Sequence, residues 1–180
     1  MDKAQLRADV KARLAALKPA QRALEEELVT AAVQALPEWR AARCVLLYRS
    51  VAPELSTVGL VNAAWREGKA TVFPAVDGER LLLRHAAAWT EFKPGWRGIP
   101  EPQGLAVEPG AVDLAIVPGV AFTAGGARLG RGGGHYDRLL ASLGCPTVGV
   151  AFTCQIVAAL PVEGHDKPVG RVVHAAQARL

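Results

Sequence analysis

Apolar residues recur at helical spacing at the start of the chain and form short continuous runs further on. Leu6, Val10, Leu14 and Leu17 lie three or four positions apart, so they predict a helix over residues 4–17. Pro19 suits the first position of a second helix, which we expect to extend to about residue 36. Short runs of apolar and β-branched residues then predict strands at 44–48, 71–73, 81–84, 114–117, 147–152 and 171–173.

Helical segments separate several of these strands. Residues 57–66 predict a helix with Ser56 as its N-cap, and residues 136–143 predict another that ends at Gly144. Continuously apolar strands that alternate with helices favour a parallel sheet covered on both faces. We therefore expect an α/β fold, a Rossmann-like three-layer sandwich with a mainly parallel sheet, helices on both faces and a site at the carboxyl ends of the strands. Residues 91–109 contain four prolines and three glycines and predict a long irregular loop.

Length and composition favour one domain spanning residues 1–180. A chain of 180 residues with 51% hydrophobic content can close one substantial core. The net charge is +4, but the basic residues are spread along the chain, which favours small anionic ligands over nucleic acid. The three cysteines lack metal-type spacing, and no stretch is typical of a signal peptide or a membrane span. We expect a cytoplasmic monomer that binds neither nucleic acid nor membranes.

The segment 118–138, with the sequence PGVAFTAGGARLGRGGGHYDR, carries the strongest chemical signal. It joins a predicted strand to a predicted helix, and its glycines let backbone N–H groups approach an anion near the positive end of that helix. Arg128 and Arg131 add full charges. Neither common phosphate motif is present, because the chain lacks Gly-Lys-Ser/Thr and has His135 where a dinucleotide fingerprint needs glycine. The segment therefore predicts a phosphate site of another kind.

Several other charged residues could take part in the same chemistry. Lys3 and Arg7 lie four positions apart on the first predicted helix, which suits either a phosphate clamp or a solvated helix face. Asp137 falls in the first turn of a helix, where a carboxylate can bind Mg²⁺ or simply face the helix dipole. Taken by themselves, Glu54 is an exposed loop acid and Asp166 can cap a loop.

These residues together resemble the 5-formyltetrahydrofolate cyclo-ligase family, also called methenyltetrahydrofolate synthetases. In that family a PGxAF segment precedes an RLGxGxGYYDR loop. Other short elements match in the same order: KxxLR at 3–7, the ExxT element at 54–57, Gly68-Lys69, the IPEP segment at 99–102 and His165-Asp166. The chain departs from the family at His135, which replaces the first tyrosine of the loop, and at 173–175, where a Thr-Glu pair is common.

The resemblance implies an enzyme that uses ATP and Mg²⁺ to close 5-formyltetrahydrofolate into 5,10-methenyltetrahydrofolate, with release of ADP and phosphate. Phosphorylation of the formyl oxygen would precede attack by N10. The resemblance, with the placement of flat aromatic rings, assigns Tyr48, Glu54, Trp96 and His135 to the folate substrate, although either Tyr48 or Trp96 could instead be core. The implied ATP-binding residues are Lys3, Arg7, Arg128, Gly130, Arg131, Gly132, Gly133, Gly134, His135 and Tyr136, with Arg131 and Tyr136 also catalytic and Asp137 and Asp166 binding the metal.

Two other functions stay open at this point. The chain could be a non-catalytic binder of folate or nucleotide in which His135 and the altered last strand abolish turnover. It could also be a sugar-phosphate isomerase or CoA transferase on a similar fold, with Glu54 as base or nucleophile. A requirement for ATP separates the cyclo-ligase from the isomerase, and product formation separates it from the binder. A single Arg-Gly-Gly run between ordered elements does not indicate RNA binding.

Overall fold

A mixed sheet runs through the centre of the computed structural model, which describes residues 2–177. The helices of this range are α1 (Lys3–Ala16), α2 (Pro19–Ala35), α3 (Pro37–Ala41), α4 (Val58–Arg66) and α5 (His135–Ser142). The strands are β1 (Cys44–Leu46), β2 (Ala70–Asp77), β3 (Arg80–His85), β4 (Phe92–Pro94), β5 (Pro100–Pro102), β6 (Ala106–Val107), β7 (Leu114–Val117), β8 (Ala121–Phe122), β9 (Arg128–Leu129), β10 (Thr147–Ala151) and β11 (Arg171–His174).

The central sheet of the described range has the strand order β11-β10-β7-β1-β2-β3-β6. The pairs from β11 to β2 are parallel, whereas β3 and β6 pair antiparallel at one edge. The chain leaves β1 toward β2 on one side and later returns as β7 on the other side. The loops after β1 and β7 therefore diverge at a topological switch point, which is where open α/β sheets bind ligands.

Alternate residues of the central strands point to two separate apolar layers. Val45 and Leu47 pack with the apolar faces of α1, α2, α3 and α4. Leu46 points to the opposite face, where it belongs to the cluster that contains Leu139 of α5. The sheet is thus covered on both faces, and the predicted three-layer α/β architecture is confirmed.

Several local predictions differ from the structure. The short helix α3 was not anticipated, because five residues are too few to show a helical period. The N-cap of α4 is Thr57, whose hydroxyl donates to Tyr48 O, while Ser56 Oγ accepts a long 3.4 Å bond from Val58 N. Helix α5 begins at His135 and ends before Leu143, so each boundary lies one residue ahead of the predicted one.

The prediction of an irregular loop over residues 91–109 is wrong. This segment contains the β4–β5 hairpin, strand β6 and 3₁₀ turns. Glu101 supports the arrangement, because its Oε1 accepts hydrogen bonds from Val76 N at 3.1 Å and Trp96 N at 3.2 Å. Such long-range bonds to a proline-rich segment leave no periodic signal in the sequence.

The glycine-bearing segment after β7 is anchored by the small β8–β9 hairpin. Its Phe122 is fully buried, and the ring lies against Gly119 and Gly149. A Cβ at either glycine would lie 2.5 Å from the ring, so both positions need the absence of a side chain. Phe122 thereby fixes the hairpin against β10. No helix within residues 2–177 combines the length and apolar character needed to cross a lipid bilayer.

We expect Gly149→Ala to lower the free energy of unfolding by about 1–3 kcal/mol, because the new methyl group overpacks the Phe122 ring. Urea or guanidinium unfolding followed by circular dichroism measures the change. Gly144→Ala is the matched control, since a Cβ there meets no atom of the described residues within 4 Å, and its effect should stay within about 0.5 kcal/mol. Equal stabilities for the two variants would contradict the packing role of Gly149.

Candidate active site

The glycine loop, residues 130–134, connects β9 to α5 at the carboxyl edge of the sheet. Gly132 and Gly134 have φ angles of 104° and 66°, a region that residues with a Cβ rarely adopt. Gly134 is also the N-cap of α5, so the loop turns directly into the first helical N–H groups. Backbone donors of the loop and the positive end of the helix therefore converge, as an anion site requires.

Helix α1 lies beside the glycine loop. Leu6 and Val10 are buried, which turns the other side of the helix toward the site, and Asp2 begins the helix with a capping box. From that side Arg7 Nε donates to Gly130 O at 2.9 Å. Arg7 thus reaches the loop from a distant part of the sequence.

Lys3 contacts the segment that contains Asp166. Its ammonium lies 2.8 Å from Asp166 Oδ2 and 2.9 Å from Glu163 Oε1. The hydrogen bonds to Asp166 and Glu163 raise the pKa of Lys3. Burial opposes ionisation of Asp166, but the bonds from Lys3 and from Glu163 N outweigh it, and the pKa of Asp166 is lowered. This end of the site therefore holds a charged ammonium and a charged carboxylate in contact.

Asp137 occupies the first turn of α5 and forms a second ion pair. Arg128 Nη2 lies 2.7 Å from Asp137 Oδ1, and the Arg128 side chain is only 3% exposed. The same carboxylate oxygen accepts a 3.2 Å bond from Lys167 N. Asp137 is therefore linked to the segment that carries Asp166, and the two predicted metal ligands lie on neighbouring parts of the site.

Glu54 reaches the glycine loop from the segment after β1. Its Oε1 lies 2.7 Å from Arg131 Nη2, and its side chain is 17% exposed against 54% for Arg131. Burial raises the pKa of Glu54, although the Val51 N–H and the Arg131 guanidinium both act in the opposite direction. This ion pair joins the residue predicted to bind the pterin to a residue predicted to bind ATP.

Tyr136 packs against the core cluster beneath α5, and the charges of Glu54, Arg128 and Arg131 act on its hydroxyl. The oxygen is shielded from solvent and has no hydrogen-bond partner among the described residues. Burial, followed by the charge of Glu54, raises the pKa of Tyr136, so the hydroxyl keeps its proton. The guanidinium of Arg128 lies 5.7 Å from the centre of the Tyr136 ring. A buried hydroxyl that lacks a partner within residues 2–177 suits a ligand that offers an acceptor.

Tyr48 is buried at the end of β1 and its hydroxyl donates to Leu55 O at 3.2 Å. Burial raises its pKa well above the usual value, and the charge of Glu54 adds to the effect. The structure therefore places Tyr48 beside Glu54 but inside the core, where it supports the loop that carries the carboxylate.

The rings of Trp96 and His135 pack against each other at the end of the glycine loop, where α5 begins. Their ring centres are 6.1 Å apart with an angle of 62° between the planes, and Trp96 is 42% exposed. His135 Nε2 lies 3.4 Å from Gly78 O in the turn between β2 and β3. The carboxylate of Glu101, a residue to which the sequence gave no role, accepts a hydrogen bond from the backbone N–H of Trp96.

The structure thus brings most of the predicted residues into contact in pairs, at or near the glycine loop. Sequence reasoning missed Glu163, which shares Lys3 with Asp166, and the backbone N–H of Lys167, which binds Asp137. It also gave no role to Arg138, although this arginine is the last residue of the RLGxGxGYYDR pattern, and that position was the available signal.

Known proteins resemble this chain in both sequence and fold. The sequence profile of the 5-formyltetrahydrofolate cyclo-ligase family matches residues 1–175. The 5-formyltetrahydrofolate cyclo-ligase of Haemophilus influenzae is 34% identical over 175 residues, which cover 92% of this chain and 93% of that protein.

Solved structures give the same result. The 5,10-methenyltetrahydrofolate synthetase of Aquifex aeolicus superposes with a TM-score of 0.85 at 35% identity, over 96% of this chain and 89% of that one. A 5,10-methenyltetrahydrofolate synthetase from Mycoplasma pneumoniae has a TM-score of 0.81 at 20% identity, covers 97% of this chain and 99% of its own, and supports the fold alone. The resemblance in the sequence is confirmed, and the chain belongs to the 5-formyltetrahydrofolate cyclo-ligase family.

Proposed function

We propose that this chain catalyses the ATP-dependent cyclisation of 5-formyltetrahydrofolate to 5,10-methenyltetrahydrofolate, with release of ADP and phosphate. Membership of the cyclo-ligase family supports the reaction. The observation that carries the proposal is the 2.7 Å ion pair between Glu54 and Arg131. It places a carboxylate suited to a pterin next to a loop suited to a triphosphate, so two ligands bound there would meet.

The chemical problem is the low reactivity of the formyl group. A formyl group on N5 is amide-like, so its oxygen must become a leaving group before N10 can attack the carbon. Transfer of the γ-phosphoryl group of ATP to that oxygen breaks the bond to ADP and forms a C–O–P linkage. N10 then adds to the carbon and loses its proton to water, and phosphate leaves with the C–O electron pair. The protein has to align the reactants and stabilise moving charge.

The cations around the glycine loop would perform the electrostatic part. Lys3, Arg7 and Arg128 bind the phosphates together with the N–H groups of the loop formed by Gly130, Gly132, Gly133 and Gly134. Arg131, which contacts Glu54, lies between the two subsites and stabilises the charge on the transferred group. Tyr136 donates its buried hydroxyl to the same group, and its raised pKa keeps that proton in place.

Magnesium fits the carboxylates that the site provides. Mg²⁺ in nucleotide sites is usually bound by one or two carboxylates, phosphate oxygens and water, and Asp137 and Asp166 offer two such groups. The described residues contain no cluster of three metal-binding side chains, which agrees with a metal that depends on the nucleotide for its other ligands. When bound, the ion neutralises phosphate charge. Arg128 orients the carboxylate of Asp137, and Lys3 orients that of Asp166.

Folate would be held by the other side of the site. Glu54 accepts hydrogen bonds from the amino-pyrimidinone edge of the pterin, and Tyr48 keeps the Glu54 segment in place while facing the same region. Trp96 and His135 offer flat rings for the remaining part of the ligand. His135 thus retains an aromatic contact where the family has tyrosine. The finer expectations of a single-domain, cytoplasmic monomer that binds no nucleic acid or membrane remain part of this proposal.

We expect the purified chain to form methenyltetrahydrofolate from 5-formyltetrahydrofolate in the presence of Mg²⁺ and ATP, and to form none without nucleotide. The increase in product absorbance measures the reaction. Binding of both ligands without product would favour a non-catalytic homologue. Turnover of a sugar phosphate or a CoA ester without ATP would favour the isomerase or transferase alternative.

Asp137→Asn should lower kcat by about 10²-fold at saturating MgATP, because the site loses a carboxylate that orients the metal and its phosphates. The amide retains an oxygen acceptor for Arg128 and Lys167, so the circular dichroism spectrum should stay native. Asp9→Asn is a matched control, since Asp9 also pairs with an arginine, Arg13, on the surface of α1. Near-normal turnover of Asp137→Asn in excess MgATP would remove Asp137 from the metal role.

Glu54→Gln should raise the KM for 5-formyltetrahydrofolate by about 10-fold, because hydrogen bonds to a charged acceptor contribute about 1.5–3 kcal/mol. The KM for ATP should change less. Because burial raises the pKa of Glu54, the carboxylate protonates as the pH falls while an ordinary glutamate is still ionised. The folate KM of the unmodified protein should therefore rise on the acid side, and this rise should be absent in Glu54→Gln.

The control for this series is Glu27→Gln, which makes the same chemical change at an exposed position on α2. Steady-state kinetics between about pH 5 and pH 8 compare the three proteins. If Glu54→Gln and Glu27→Gln gave the same folate KM across this range, Glu54 would have no part in binding the pterin.

A further inference from the structure

Arg138 lies one turn into α5 and contacts two different segments of backbone. Its Nε donates to Glu79 O at 2.8 Å, in the turn between β2 and β3. Its Nη2 donates to Gly133 O at 2.9 Å, within the glycine loop. The fixed fork of a guanidinium can serve two such acceptors at once, which a lysine ammonium cannot do with the same geometry. Arg138 therefore ties the loop to the antiparallel edge of the sheet.

The bond to Gly133 O determines the direction of the next amide. A peptide unit is planar and trans, so its C=O and its N–H point in opposite directions. Because Arg138 holds the Gly133 carbonyl, the Gly134 N–H of the same peptide points away from the guanidinium. Gly134 is the N-cap of α5 and has a φ of 66°. The orientation of this amide is thus set by a side chain that lies on the opposite side of the loop.

The position of Gly134 depends on the same arginine. A Cβ on Gly134 would lie 2.9 Å from Arg138 Nη1, so the guanidinium packs directly against the glycine backbone. The other end of the loop has an equivalent contact, because Arg7 Nε donates to Gly130 O at 2.9 Å. Two arginines from separate helices therefore hold the first and fourth carbonyls of the glycine loop.

We propose that Arg138 is a positioning residue that directs the Gly134 N–H toward bound phosphate by holding the Gly133 carbonyl. This inference rests on the proposed function, since it takes the phosphate to be that of the nucleotide. Arg138 acts through the loop backbone and need not touch the ligand. Its contribution should consequently depend on its two-pronged geometry more than on its charge.

The test compares Arg138→Ala and Arg138→Lys with the unmodified protein. Isothermal titration with MgADP should show a Kd that is raised about 10-fold in both variants, because lysine keeps the charge but cannot hold both carbonyls. The KM for ATP should rise in parallel, while the Kd for 5-formyltetrahydrofolate changes less than twofold. In ¹⁵N-labelled protein the amide resonance of Gly134 should shift in both variants without any ligand.

Arg84→Ala is the matched control, since Arg84 Nη1 donates to Gly104 O at 3.0 Å, another backbone carbonyl. This variant should keep the unmodified Kd for MgADP and the unmodified Gly134 resonance. Full nucleotide affinity in Arg138→Lys would show that charge alone is sufficient and would overturn the proposal. A parallel loss of folate affinity, nucleotide affinity and thermal stability in Arg138→Ala would also overturn it, because it would indicate a general structural role.

The failure of the proposed function would look different. In that case the unmodified protein would either not bind MgADP or bind it without forming methenyltetrahydrofolate, whereas the Gly134 resonance would still report whether Arg138 sets this peptide. An unchanged resonance in Arg138→Ala and Arg138→Lys would refute the positioning role independently of any nucleotide.

Discussion

The concentration of positive charge around the glycine loop is the constraint on which the rest of the site depends. Arg7, Arg128, Arg131 and Arg138 contact or belong to this loop, and Lys3 lies one helical turn from Arg7. Like charges in a partly buried region repel one another. Each cation has a partner that neutralises it or accepts its hydrogen bonds. Lys3 pairs with Asp166 and Glu163, Arg128 pairs with Asp137, and Arg131 pairs with Glu54. Arg7 donates to Gly130 O, and Arg138 donates to two backbone carbonyls. The carboxylates of the site therefore neutralise cations that would otherwise repel one another.

This pairing also explains why distant segments meet at the loop. Lys3 and Asp166 are separated by 163 positions in the sequence, and Arg7 and Gly130 by 123. The apolar face of α1 packs on the sheet through Leu6 and Val10, and this packing directs its basic face to the switch point. Core burial thus supplies the energy that brings the cations together, while the ion pairs select their arrangement.

Much of the fold followed from the sequence, because continuous apolar runs such as 114–117 and the period of α1 are strong local signals. The glycine loop was equally clear in the sequence, because glycines and arginines between a strand and a helix are typical of an anion site. What could not be predicted depends on contacts between distant residues. The Glu101 carboxylate in the β4–β5 hairpin accepts a bond from Val76 N, and Tyr48 packs in a core cluster formed by residues from across the chain. The partner of Arg131 was also hidden, because only the order of the strands places Glu54 beside it.

The turn between β2 and β3 has a consequence for how this protein can vary. Gly78 O and Glu79 O both contact residues of α5, so the length of this hairpin determines whether its tip reaches the helix that follows the glycine loop. Lengthening each strand by two residues would carry the tip about 7 Å farther out and away from both contacts. Insertions should be far easier to accommodate at surface loops elsewhere, because the length of this hairpin is constrained by the contacts of its backbone carbonyls with α5.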